Sequence, residues 1–244
     1  MRYIDLETLL AKRGNWGNSA ELWKNELLKK DFRDYFNNKC WYTEVLLIGQ
    51  DAHIDHFRPK GKVKPLEKYN YNKPLATCGY YWLENDPRNY RVCCVYANRK
   101  TGQGGKGNFF PLADESPFLT VHGEECEIPL LLDPCNHEDV ALISFVGNQV
   151  IASSVKDLDK IRVKITEVIY NMVDPYIKAE RGKIWESVAK VLEEYESENI
   201  SRSVCIRQLR DAVSREAPFS ACAIACINSL APDEIKQDLD LRKH

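Results

Sequence analysis

The sequence predicts an α+β protein in which helices at both ends flank a small β-rich middle. Apolar residues recur at helical spacing near the N-terminus and again over most of the chain beyond residue 155. Two short runs of aromatic and β-branched residues, 41–57 and 141–153, are each broken by a glycine-containing turn. Between those runs, residues 61–80 are rich in Lys, Asn and Pro, lack periodicity and read as loop.

Taken in order, residues 4–10 form a short amphipathic helix that stops near Gly14. Ser19 is the expected N-cap of a second helix over 19–36, with Leu22, Trp23, Leu27, Phe32, Tyr35 and Phe36 on one stripe. Residues 41–48 and 52–57 are expected to pair as a hairpin across Gly49-Gln50-Asp51. Pro59 ends the second strand and keeps Arg58 extended. Residues 89–100 start as a turn and become a short helix, which TGQGGKG at 101–107 breaks. Residues 109–112 and 129–134 are apolar anchors in an irregular stretch, and 141–153 folds back around Gly147-Asn148. Helices follow over 157–172, 183–195, 201–213 and 220–230. The stripe of the first contains Leu158, Ile161, Ile165, Val168, Ile169 and Met172. The organisation is therefore a helical segment 1–39, a chemistry-bearing core 40–112, an irregular region with a hairpin 113–154 and a helical region 155–244.

The 244 residues are 44% hydrophobic and 29% charged, which excludes wholesale disorder, and no apolar run reaches the length of a membrane span. Acids interrupt the apolar stretch of MRYIDLETLL, against a secretory signal. Nine scattered cysteines without such a signal suggest a cytoplasmic protein with mostly buried free thiols. The net charge of −2 excludes overall basicity as a reason to bind nucleic acid. Locally the balance differs. Residues 57–107 hold eleven bases against three acids, so the rest of the chain is correspondingly acidic.

That basic stretch also holds the chemistry. Ala52-His-Ile-Asp-His-Phe-Arg-Pro-Lys60 ends a strand on an Asp-His pair followed by two bases, and Asn89 and Asn98 come later. Phosphodiester hydrolysis needs a base for water, a cation for developing charge and positive groups for phosphate. His56 suits the base, because an imidazole titrates near pH ~6.5. Asp55 and Asn98 offer the hard oxygens that Mg²⁺ or Mn²⁺ prefers. Arg58, Lys60, Arg99 and Lys100 can meet phosphate. His53 is a further candidate beside the site. Strand neighbours face opposite ways, so Asp55 and His56 share a site only if the strand twists or ends there.

At these residues the sequence resembles the HNH endonuclease superfamily, in its Asp-His…Asn…Asn form, which is also found in CRISPR effector nucleases. It is most similar to the HNH proteins of Septu and retron anti-phage systems, through Asp55 to Lys60 (DHFRPK), Gly79 to Asn89 (GYYWL…N), Asn98 to Leu112 and the LLDP box at 131–134. The similarity covers residues 40–145. It implies a ββα-metal core, His56 as general base, Asp55 and Asn98 as metal ligands, and Asn89 as the residue that holds the loop. It further implies nucleic acid as substrate, DNA favoured, and an ABC-type ATPase as partner. Many relatives carry two C-x-x-C pairs around this unit. Here the pairs read Cys40…Thr43 and Cys94…Ala97, each missing its second Cys, so structural zinc is not expected there.

Plainer readings stand beside these. Tyr80, Tyr81 and Trp82 read first as core packing and second as a base-stacking platform. His122 and His137 read as surface residues. TGQGGKG lacks the G-x-x-x-x-G-K-[ST] pattern, which argues against nucleotide binding. The same site chemistry serves a ribonuclease, for example against tRNA, and a catalytically silent adaptor is the reading from another class. The helical region 155–230, with its acidic run 193–198, is expected to dock the partner.

Overall fold

The computed structural model describes residues 1–13, 15–17, 19–64, 79–99, 104–113, 116 and 127–240. Helix α1, Leu6–Arg13, lies where the sequence places it. The next helix starts later than expected. A single 3-10 turn, Leu22–Lys24, leads to Asn25, whose side chain accepts the Leu28 amide as the N-cap of α2, Glu26–Tyr35. Asn25, not Ser19, is thus the cap, and Leu28 and Phe32 face the core while Leu27 is exposed.

The first strand pair corrects the expected hairpin. β1, His53–His56, pairs antiparallel with β2, Tyr90–Cys93, with His53 opposite Cys93 and His56 opposite Tyr90. Residues 41–48 form no strand. The Glu44 amide bonds the Cys40 carbonyl, the Cys40 amide bonds the Val45 carbonyl, and Glu44 sits at φ +61°, so the chain curls instead of extending. Only Trp41 reaches the sheet, donating its amide to the Val92 carbonyl at 2.9 Å. All four residues of β2 are buried, a full-burial pattern that the charged Arg91 hides in the sequence. The short helix α3, Val95–Asn98, follows β2 directly and packs on β1.

Helix α4, His137–Ala141, opens on Asn136, whose side chain accepts two amides. β3, Ile143–Val146, and β4, Gln149–Ala152, form the hairpin around Gly147-Asn148. Then come α5 (Asp157–Ile169), α6 (Pro175–Glu196), α7 (Arg202–Val213), α8 (Ser220–Leu230) and α9 (Asp233–Leu239). α6 begins earlier than periodicity suggests, because Asp174 caps it and Pro175 sits in its first turn. In α5 the expected stripe is buried only at its C-terminal end. Leu158 and Ile161 are exposed, while Ile165, Ile169 and Met172 are buried.

One apolar core joins α1, α2, the β1–β2 sheet, residues 129–132 and the end of α5. A second lies among α6 to α9, and Phe145, Ile177, Phe219 and Cys222 pack together where β3 meets α6 and α8. Among the described residues no helix is long and apolar enough to cross a membrane.

Candidate functional site at the end of the first strand

β1 separates its side chains by strand alternation: His53 and Asp55 face one way, Ile54 and His56 the other. The strand ends at His56, and the two faces carry different chemistry.

On one face, His56 is half-buried between the edges of Trp23 and Tyr90, with ring centroids 5.3 and 5.1 Å away. Its Nε2 lies 2.9 Å from the Glu84 carbonyl oxygen. A carbonyl only accepts, so Nε2 carries the hydrogen and the Nδ1 lone pair is left to act as a base. Burial lowers the His56 pKa; the Glu84 carbonyl and Asp55 oppose that, and Lys106 and Lys60 add to it. The imidazole is therefore neutral near pH 7.

The segment that supplies the Glu84 carbonyl is held by Asn89. Its Oδ1 accepts the Arg58 amide at 2.8 Å and its Nδ2 donates to the Arg58 carbonyl at 2.9 Å. The Phe57 amide also bonds the Asn89 carbonyl at 2.8 Å. Asn89 thus ties the chain leaving β1 to the chain entering β2. Tyr90 donates its hydroxyl to the same Glu84 carbonyl at 2.7 Å.

On the other face, Asp55 is 3% exposed, and both of its oxygens are engaged. Oδ1 receives the Lys106 ammonium at 2.7 Å and Oδ2 the Tyr42 hydroxyl at 2.8 Å. Lys106 also donates to the His56 main-chain carbonyl. Burial and the Asp55 charge push the Tyr42 phenol well up, so it remains a donor. Asn98 lies elsewhere: its amide nitrogen is 3.4 Å from Nδ1 of half-buried His53. Burial, and then Arg99, lower the His53 pKa.

The metal expected between Asp55 and Asn98 does not fit this arrangement, because an ammonium already holds the carboxylate and the Asn98 side chain is directed to His53. Among the described residues no three His, Cys, Asp or Glu side chains gather as metal ligands.

The bases expected to meet phosphate divide in the same way. Arg58 pairs with Glu127 at 2.7 Å, and Lys60 pairs with Glu84 at 2.7 Å while lying over the Trp23 ring at 3.4 Å. Arg99 is exposed, and Lys100 lies outside the described residues. Arg91 grips Asp133 of the LLDP box through two 2.6 Å bonds. His137 packs edge-on against Tyr3, and of the aromatic run Tyr80 is buried and Tyr81 exposed. Much of the basic stretch is therefore spent on internal carboxylates.

The positions of the broken C-x-x-C pairs converge. The Thr43 amide lies 3.5 Å from Cys40 Sγ, the Thr43 hydroxyl 3.9 Å from Cys94 Sγ, and the Ala97 amide bonds the Cys94 carbonyl, with all four residues buried. Cys40 beside it and burial push the Cys94 thiol well up. Cys78, the other conceivable replacement ligand, lies outside the described residues.

Sequence reasoning missed Lys106, Tyr42 and the Glu84 carbonyl. The one available signal was Lys106 itself, a lone charge between glycines. Glu84 acts through its backbone, which leaves no trace in residue type.

No family model matches the chain. It is similar to the Septu protein PtuB of Bacillus mycoides (strain KBAB4), 33% identical over 133 residues, which is 54% of this chain and 42% of that protein. It is also similar to the Septu protein PtuA of the same strain, 29% identical over 112 residues, covering 45% of this chain and 14% of PtuA. The matched segments span less than half the length of each relative.

Proposed function

We propose that this chain is an HNH-type endonuclease that hydrolyses phosphodiester bonds in nucleic acid, with DNA as the favoured substrate. It acts as the effector of an anti-phage defence system beside an ABC-type ATPase. The observation that carries this reading is His56: a neutral imidazole at a strand end, its Nε2–H pinned by the Glu84 carbonyl, with Nδ1 left to accept a proton. Water against Nδ1 gives up its proton as its oxygen attacks phosphorus. The imidazolium that forms keeps its bond to the Glu84 carbonyl. Asn89 holds the loop that supplies that carbonyl. Exposed Arg99, with Lys100 next to it in sequence, provides positive charge for phosphate.

The HNH resemblance implies Mg²⁺ or Mn²⁺ to offset charge on the leaving oxygen, with Asp55 and Asn98 as ligands. No step here is routed through it, since Lys106 holds Asp55. The similarity to Septu proteins supports the defence role and a protein partner, which we assign to the surface of the C-terminal helices. The closed Asp55 favours, as second reading, a silent adaptor that only binds nucleic acid or the ATPase.

The test is to incubate the chain, alone and with the ATPase encoded beside it, with plasmid, linear duplex and total RNA, plus Mg²⁺ or Mn²⁺. DNA cleavage is expected, and His56→Ala should lower it by about 10²–10⁴-fold, the usual worth of a general base. Cleavage of RNA alone makes the protein a ribonuclease. Absence of cleavage in every arm, with complex formation intact, replaces the nuclease by the adaptor.

A further inference from the structure

We infer that Lys106 is a tethered cation seated where a metal ion would have to bind Asp55, and that this chain takes up a divalent cation only by giving up the Lys106–Asp55 contact. The inference rests on the reading of Asp55 as a cation ligand given above. The seat consists of hard oxygens: the Asp55 carboxylate at 2.7 Å and the His56 main-chain carbonyl, with the Tyr42 hydroxyl bracing the second carboxylate oxygen. Such oxygens suit Mg²⁺ and Mn²⁺ as well as an ammonium.

Stability alone gives little reason for a lysine here. Lys106 is 0% exposed, and a buried ion pair is often no more stabilising than well-packed apolar side chains of similar volume. Polar capacity around the pair is also unspent. Tyr170 stacks on Tyr42 at 3.6 Å, its phenol is raised by burial and by the Asp55 charge, and its hydroxyl has no hydrogen-bond partner among the described residues.

The tether is built to move. Gly105 and Gly107 flank Lys106 at φ +99° and +48°, backbone states that glycine enters at little cost. The Lys106 amide bonds the Ala97 carbonyl and the Gly107 amide bonds the Asn98 carbonyl, both at 2.8 Å. Withdrawal of Lys106 would therefore release Asp55 and loosen the turn that carries Asn98 in one motion. A second ligand could then leave His53 and join the first.

The probe is Mn²⁺ alone, titrated into the full chain by calorimetry and by its paramagnetic resonance signal. Lys106→Met should bind Mn²⁺ more tightly than the unmutated chain by about tenfold or more, the gain expected when a binding-competent state of about a tenth of the population becomes the only state. The double variant Asp55→Asn with Lys106→Met removes both charges, and should fold and lose the site. A second measurement needs no variant. The slowly exchanging ¹⁵N ammonium resonance of the buried lysine should disappear as Mg²⁺ saturates the unmutated chain. Equal Mn²⁺ affinity with and without Lys106, no divalent binding in either, or an ammonium signal that survives Mg²⁺ saturation overturns the inference. If Lys106→Met gains Mn²⁺ affinity but cleaves neither DNA nor RNA, the cation seat stands and the nuclease reading falls.

Discussion

From Val188 to Leu239 the buried interior is apolar apart from Ser220: Leu192, Cys205, Leu209, Val213, Ala223, Ile227 and Ile235 pack among α6 to α9. The interior around β1, β2 and α3 is buried just as deeply, yet it holds Asp55, Lys106, Arg91 and Asn89. The two regions are stabilised differently. Apolar burial has no direction and grows with area, so any tightly packed arrangement of the four helices is favourable. Buried charges must meet their partners at hydrogen-bond distance or be strongly unfavourable, so the centre tolerates a single arrangement. That rigidity suits a region that must hold an imidazole against one backbone carbonyl.

The largest expected effect falls on the polar centre. Arg91→Met leaves Asp133 without its fork and should cost about 4 kcal/mol in urea unfolding, as for a broken buried pair. Adding Asp133→Asn should restore much of it. A loss under about 1 kcal/mol, in the range of exposed pairs, would erase the contrast.

Next comes the helical core. Leu209 is fully buried in α7, and Leu209→Ala should cost about 3 kcal/mol by lost transfer and cavity formation. No second-site polar change should rescue it. Cleavage per folded molecule should be unaltered, because α7 is not part of the β1–β2 sheet.

The smallest effect is a displaced pH limb. His56 must be neutral to accept a proton, and burial holds its pKa below the ordinary value. Cleavage should therefore persist below pH ~6.5 and fail only at lower pH, as the imidazole finally protonates. A limb at or above pH ~6.5 would mean that His56 is solvated in the working state, and the contrast in burial would not extend to the catalytic face.

The sequence alone determined the α+β class, the hairpin around Gly147-Asn148, helices α7 and α8 nearly residue for residue, and the strand-end position of His56. Each depends on neighbours in the chain: helix hydrogen bonds run from a residue to the fourth before it, and a two-residue turn sets its own register. The short helices α4 and α9 passed unnoticed, since five and seven residues give periodicity too little length to speak. The residues Asp55, His56, Asn89 and Asn98 were legible as types, but not as an arrangement. Only the tertiary structure decided that β1 pairs with β2 and not with the run before it, that Asn98 turns to His53, and that Asp55 is held by Lys106. Those choices are made between residues distant in sequence, by competition for a few directional partners in a buried space. A charge's eventual partner is not written in the charge itself.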